Sequence, residues 1–334
     1  MPSPDLAVVD RTGFPLDEPG TGLQRGRAAL RVLALGSTIL TALLIAVGGV
    51  VRATESGLGC PGWPKCFGRW VPPLEYHAII EYSHRAVALI VGVVIAALAV
   101  VATAFFRRYR RVFVPAAASL VLVVVQGALG RIVVKGELEA LLVTAHFSTA
   151  MILLGTLTYG TVSAYSLDAP TGRRDGSLPA LAWLVAGSVF VLMVLGAFVR
   201  GEGASLAFFD WPLMDGAVIP ALDSLPPALH FTHRVAALVT GVLVALLGMR
   251  AWRNRRLNKA AAVLAGAMLG VFLVQVLVGA ANVWTRLADP AVASHVALAG
   301  LVWALAVATA ATSRLAAARM PDLPRPAPEL VGQR

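Results

Sequence analysis

Residues 80–94 read IEYSHRAVALIVGVV, and residues 229–243 read LHFTHRVAALVTGVL. The two stretches align without a gap, so His84 and His233 are 149 residues apart. Self-similarity at one fixed separation predicts a chain built from two equivalent units. The same separation relates VVVQGALG to FLVQVLVG and TAHFSTA to ASHVALA, which pairs Gln126 with Gln275 and His146 with His295.

The composition predicts a membrane protein. Hydrophobic residues make up 58% of the 334 residues and charged residues only 14%, whereas soluble domains carry about 25% charged residues. A run of about 20 apolar residues spans the hydrocarbon core of a bilayer. Eight such segments are predicted: 30–51, 78–105, 112–134, 140–165, 179–199, 228–249, 260–281 and 291–314.

The basic residues predict the orientation of these segments. They concentrate after the second and sixth segments, in RRYRR at 107–111 and in the stretch 250–259, whereas the loop 200–227 has one Arg against four acidic residues. The positive-inside rule therefore places the even-numbered loops and both termini in the cytoplasm. The expected location is the bacterial cell (inner) membrane. Because most of the net charge of +10 lies between apolar segments, membrane lipid is the expected partner and nucleic acid is not.

The predicted fold is all-α, with eight transmembrane helices arranged as two parallel-repeat four-helix bundles. An even number of spans per repeat gives both repeats the same orientation. The tails are Pro-rich or polar and are expected to be disordered. The predicted divisions are a cytoplasmic tail at 1–28, a first bundle at 29–167, a linker at 168–178, a second bundle at 179–315 and a cytoplasmic tail at 316–334.

Cys60 and Cys66 are the only cysteines, and both lie in the short stretch SGLGCPGWPKCFG at 56–68. The predicted orientation places this loop outside the cell, where disulfides persist. A short loop containing proline can bring two Cα atoms to the roughly 4.4–6.8 Å that a bridge requires. A disulfide is therefore favoured over two free thiols. Trp63-Pro64 recurs as Trp211-Pro212 without the cysteines, so one loop shape is expected in both halves.

Four of the six histidines lie about four to six residues inside predicted spans, at repeat-related places. Within each half, two imidazoles at matching depth can face each other across a bundle core. Zinc sites usually take three or four ligands, whereas one opposed histidine pair per bundle suits the iron of a haem. The predicted iron ligands are His84 with His146 and His233 with His295. His77 and His230 are interpreted as polar residues of the interface.

Glu81 breaks the repeat, because its counterpart is His230. It precedes His84 by three residues, so its carboxylate lies on the same helix face. An acid near a membrane boundary is costly and is a functional candidate, here for taking up a proton or positioning water during oxidation at the edge of a haem. The alternatives are a salt bridge to Arg85 or a charge at a helix N-terminus. Arginines near the histidines are candidates for binding haem propionates or for snorkelling to headgroups: Arg85, Arg234, Arg52, Arg131 and Arg200.

Taken together, the chain from about Leu30 to Leu315 resembles haem A synthase. The motifs that carry the resemblance are VRATESGLGCPGWPKC (51–66), EYSHR (81–85), QGALGRIVV (126–134), HFTHR (230–234) and the histidines of TAHFSTA and SHVALAG. The resemblance implies an oxidoreductase that converts the C8 methyl group of haem O to a formyl group by successive hydroxylations in haem A biosynthesis.

The resemblance also implies roles for individual residues. The first half would bind the substrate haem O through His84 and His146, and the second would hold a haem b cofactor through His233 and His295. Glu81 matches the catalytic acid of the family, and Cys60–Cys66 matches its disulfide. A second cysteine pair that some members carry is absent here.

Partners are less defined by the sequence. The resemblance suggests proximity to haem O synthase and implies an electron acceptor that no residue identifies, and a homo-oligomer stays open. One alternative function is a dihaem b-type electron-transfer protein, a quinone oxidoreductase that uses the same four histidines. The other is a transporter with the histidines as proton relays.

Overall fold

The computed structural model describes residues 22–167 and 177–317 of the chain. Within these ranges, eight helices are long and apolar enough to cross a membrane. This confirms the prediction of an all-α, multi-pass membrane protein. The helices are α1 (Gly22–Ala53), α2 (Tyr76–Phe105), α3 (Arg110–Lys135), α4 (Ala140–Tyr165), α5 (Leu178–Gly201), α6 (Leu225–Arg253), α7 (Lys259–Trp284) and α8 (Asp289–Ala317).

The eight helices coincide with the eight predicted segments but extend beyond most of them. The largest difference is in α1, which begins at Gly22 and so includes residues 22–28 that the sequence assigned to the tail. The apolar pattern marks only the part of a helix that lies in the hydrocarbon core, and the helix continues beyond it into the polar interface. The predicted tail residues 1–21 and 318–334 and the linker residues 168–176 lie outside the described residues.

Each half of the described chain forms a ring of neighbouring helices. In the first half α1 contacts α2 and α4, and α3 contacts the same two helices; α5, α6, α7 and α8 repeat this pattern in the second half. The two rings meet where α1 contacts α8, where α5 contacts α4, and where α4 contacts α8. The arrangement as two parallel bundles stays a prediction, which these neighbours support.

The loops after α1 and α5 have the same backbone shape. Each begins with a short 3-10 turn, Ser56–Leu58 in the first loop and Ala204–Leu206 in the second. Both then form a tight turn with two successive left-handed residues, with φ of 50° and 75° at Phe67 and Gly68 and 54° and 77° at Asp215 and Gly216. Glycine adopts this conformation at little cost. The recurring Trp-Pro pair thus predicted one loop shape correctly.

Trp303 of α8 ties the second ring to the first. Its indole Nε1–H donates to the backbone oxygen of Met151 in α4, at 2.6 Å. The ring fits only because residue 155 is glycine: a Cβ atom there would lie 2.8 Å from Cζ2 of Trp303. Phe190 of α5 packs on the same indole, with ring centroids 5.5 Å apart.

Candidate functional site

The four predicted ligand histidines lie towards one end of the helices, the end that carries the disulfide loop. His84 and His233 follow the first residues of α2 and α6 by eight positions, and His146 and His295 follow those of α4 and α8 by six. At a rise of 1.5 Å per residue, they lie about 9–12 Å from the helix starts. They are deeper than the sequence predicted in three cases, because α2, α6 and α8 begin earlier than their apolar segments.

The structure brings together the two histidines of each half. His84 interacts electrostatically with His146, and His295 with His233. All four residues are half-buried, yet Nδ1 of each is fully buried without a hydrogen-bond partner among the described residues. Each imidazole is therefore buried at Nδ1, and the accessible surface of the residue belongs to its other atoms.

A glycine on the preceding helix faces each of these rings. Because Nδ1 is the buried nitrogen of each ring and Nε2 is not among the buried unpartnered atoms, Nε2 is the nitrogen left for a ligand, and a neutral imidazole can give its lone pair to haem iron. The histidine pairs and their glycine cradles therefore fit one haem per half. A Cβ atom would lie 3.2 Å from Cε1 for Gly48 and His84, 3.5 Å for Gly130 and His146, 2.9 Å for Gly196 and His233, and 3.2 Å for Gly279 and His295.

Glu81 lies in a buried cluster that links α2 to the disulfide loop. Only 4% of its surface is exposed, and its Oε2 accepts a hydrogen bond from the Cys60 amide at 2.7 Å. Its Oε1 accepts one from Arg85, one helical turn further along α2. Arg85 also donates to the carbonyl oxygens of Cys60 at 2.9 Å and Gly62 at 2.6 Å. The salt bridge weighed from the sequence is therefore present, and it holds the carboxylate in place.

The equivalent cluster of the second half has no carboxylate at its centre. His230 replaces Glu81, and its Nε2 accepts a hydrogen bond from Nε of Arg234 at 3.1 Å. Arg234 also donates to the carbonyl oxygens of Leu213 and Asp210 in the second loop. The amide N–H groups of Gly216 and Asp215 donate to the Asp210 carboxylate and lower the pKa of that carboxyl.

The other arginines differ in their partners. Arg52 donates to the backbone oxygen of Arg200 at 3.3 Å, and the guanidinium of Arg131 lies 5.7 Å from the ring centroid of Trp63. Nε of Arg200 is buried without a hydrogen-bond partner among the described residues, which suits an anionic ligand group. Arg85 and Arg234 instead donate to loop carbonyls, and the role of all five with propionates stays a prediction.

The disulfide predicted between Cys60 and Cys66 is confirmed, with the Cα atoms 4.8 Å apart. Both cysteines are fully buried and pack against Ala78 of α2. His77, at the start of α2, contacts the same loop, since the Ser56 hydroxyl lies 2.9 Å from its Nδ1. The bridge therefore closes the loop directly over the helix that carries Glu81 and His84.

A family model described as "Cytochrome oxidase assembly protein" (COX15-CtaA) matches residues 31–79 and 74–307. The chain belongs to this family. Proteins named "Heme A synthase" are similar over most of their length. That of Symbiobacterium thermophilum is 32% identical over 240 residues, 69% of this chain and 77% of the relative. That of Alkalihalophilus pseudofirmus is 29% identical over 269 residues, 77% of this chain and 88% of the relative. The resemblance inferred from the motifs is confirmed.

Sequence reasoning missed two features of this candidate site. The ring-facing role of Gly48 and Gly196 was not predicted, although their separation of 148 residues equals that of Arg52 and Arg200, four positions further on. The bracing of the outer loops by Arg85 and Arg234 was also missed. No sequence signal reveals it, because backbone carbonyl acceptors are present at every residue.

Proposed function

We propose that this protein is a haem A synthase: an oxidoreductase that converts the C8 methyl group of haem O to a formyl group by successive hydroxylations. Family membership and the named relatives support this function. The observation on this chain that carries it is an asymmetry. Two similar histidine pairs lie in the two halves, but among the described residues only the first half has a buried carboxylate, Glu81, one turn before a histidine.

In this proposal the first half binds the substrate, haem O, between His84 and His146. The second half binds haem b between His233 and His295. Bound haem b would supply a one-electron carrier beside the substrate site. The glycines that face the four rings leave the room that both groups need, and Arg200, with its unsatisfied Nε, is a candidate for binding a propionate.

Glu81 is proposed to accept a proton as the methyl carbon of the substrate is oxidised. Within the described part of the chain it is the one buried carboxylate, and the Cys60 amide and the Arg85 guanidinium each hold one of its oxygens. General acid–base catalysis requires such fixed placement beside the reacting group. Arg85 is a positioning residue for it, because it binds both the carboxylate and the carbonyl oxygens of the disulfide loop.

The placement in the cell is part of the proposal. The eight helices make a multi-pass membrane protein, and the arginine-rich loops favour both termini in the cytoplasm. The membrane proposed for it is the bacterial cell (inner) membrane. The haem sites would then lie near the outer face. Haem O synthase as a neighbour, an external electron acceptor and a homo-oligomer are further partners that the proposal leaves to experiment.

The deciding experiment is extraction of the haems from the purified protein and their chromatographic separation. Haem O or haem A together with haem b supports the proposal. Haem b alone supports a dihaem electron-transfer protein, and no haem supports a transporter.

Variants assign the two halves. We expect His84→Ala and His146→Ala to abolish haem A formation while haem b remains bound, because only the substrate loses its ligand. Ser83→Ala is the matched control, since this neighbour of His84 is exposed and its hydroxyl donates only to the Ile80 oxygen of its own helix. Loss of haem b in His84→Ala, with retention in His233→Ala, would reverse the assignment.

A further inference from the structure

Two glutamines make the same unusual contact in the two halves. The side-chain N–H of Gln126 in α3 donates to the backbone oxygen of His146 in α4, at 3.0 Å. Gln275 in α7 donates to the backbone oxygen of His295 in α8, also at 3.0 Å. A carbonyl inside a helix already accepts an intrahelical hydrogen bond. Each glutamine therefore adds a second bond, which ties two helices together at the turn that bears the histidine.

The glycine that faces each of these imidazoles lies four residues after the glutamine. Residues at this spacing lie on one face of a helix, so Gln126 and Gly130 present one surface to His146. Gln275 and Gly279 present the same surface to His295. The backbone contact and the ring contact thus come from one Gln-x-x-x-Gly unit per half.

Each unit and the histidine that it contacts have one unpaired polar atom each, an acceptor on the glutamine and a ring nitrogen on the histidine. Oε1 of Gln126 and of Gln275 is buried without a partner among the described residues, as is Nδ1 of His146 and of His295. A neutral imidazole that gives its Nε2 lone pair to a metal keeps its proton on Nδ1, which is then a donor. Buried polar groups are rarely left unpaired. No hydrogen bond joins these two atoms here, but they belong to two residues that already contact each other through the histidine backbone oxygen.

We propose that Gln126 and Gln275 are positioning residues for the haem-ligating histidines of α4 and α8. Each fixes the turn that carries the histidine and accepts the Nδ1–H when Nε2 binds iron, and the following glycine leaves the ring its place. This rests on the proposed function, which assigns His146 and His295 as ligands. Because an acceptor at Nδ1 makes imidazole a stronger donor to iron, Gln275 stabilises the oxidised state of haem b.

The test compares variants of α7 in the purified protein with its haems bound. Gln275→Leu removes both the N–H and the acceptor, and we expect a redox titration to show a higher midpoint potential for haem b. Gly279→Ala puts a methyl group 3.2 Å from Cε1 of His295, and we expect a shift in the electron paramagnetic resonance spectrum of ferric haem b. Gly270→Ala is the control, because its new methyl group would have no described atom within 4 Å apart from its chain neighbours and the nearby backbone of its own helix.

The outcomes separate this inference from the function on which it rests. The inference is overturned if Gln275→Leu has the same haem b potential as Gly270→Ala and if Gly279→Ala has the same spectrum as Gly270→Ala. If Gln275→Leu loses haem b altogether, the spectrum of Gly279→Ala decides. Gln126→Leu should leave the haem b potential unchanged, since it belongs to the other half. An unsubstituted protein without bis-histidine haem b contradicts the proposed function itself.

Discussion

At the scale of single residues, the two halves differ most clearly at one repeat position, which is Glu81 in the first half and His230 in the second. Both side chains accept a hydrogen bond from an arginine four residues later, Arg85 or Arg234. Only Glu81 also binds a loop amide, that of Cys60. Both halves therefore have an arginine bonded to the residue four positions earlier, and in the first half that residue is a carboxylate, which can accept a proton.

Glu81→Gln tests this role with little change in size. The amide cannot take up a proton as a carboxylate does, so we expect haem A formation to fall by about 10²–10⁴-fold. Haem content, measured by extraction, should stay the same. Glu75→Gln is a matched control, because Glu75 is exposed just before α2. A normal yield of haem A from Glu81→Gln would remove the residue from the mechanism.

The sequence predicted these chemical groups and raised one contact, the salt bridge of Glu81 with Arg85, but not the contacts with the loop. His84, His146 and Glu81 were recognisable because polar side chains inside apolar segments are costly and repeat at fixed spacing. Arg85 was a candidate for binding a propionate, and that role stays a prediction; its hydrogen bonds to the carbonyl oxygens of Cys60 and Gly62 were not predicted. An arginine has five donors with long reach, and its sequence position does not decide among the acceptors around it.

At the scale of elements, the loop after α1 is the part of the chain that positions Glu81. The bridge between Cys60 and Cys66 closes it, and Ala78 of α2 packs against both cysteines. The Cys60 amide, which binds Glu81, lies within the closed segment. A structural change in this loop therefore acts directly on the carboxylate.

Combined Cys60→Ala and Cys66→Ala substitution should lower turnover while haem b stays bound. The loop is then held less firmly, and loss of one positioning hydrogen bond of about 1.4 kcal/mol corresponds to about tenfold in rate. The measurement is haem A formation beside haem b content in the same preparation. Full activity with full haem content would exclude both a structural and a redox role for the bridge.

At the scale of the whole molecule, the contact between the rings joins a helix of one histidine pair to a helix of the other. α4 carries His146 and α8 carries His295, and Trp303 joins these two helices through the backbone of Met151. The apolar segments and the repeat predicted eight helices and two similar halves. They did not predict this contact, because faces towards lipid and towards protein are equally apolar in a membrane.

Trp303→Phe should loosen the contact between the rings. It removes the hydrogen bond to Met151 and part of the packing on Gly155, which together correspond to roughly 1–3 kcal/mol of stability. We expect a lower midpoint of thermal unfolding in detergent and faster loss of both haems. Trp183→Phe is the control, since this indole of α5 is 37% exposed. Equal unfolding midpoints for the two variants would contradict a joining role for Trp303.

The second outer loop has the backbone path of the first without a covalent link. Phe208 and Met214 stand where the first loop has Cys60 and Cys66, and both are buried, at 2% and 6% exposure. Packing alone is therefore sufficient to form this shape. What the disulfide adds is a limit on rearrangement within the loop: residues 60–66 cannot unfold independently of one another, so the Cys60 amide stays close to Cys66 when the loop fluctuates.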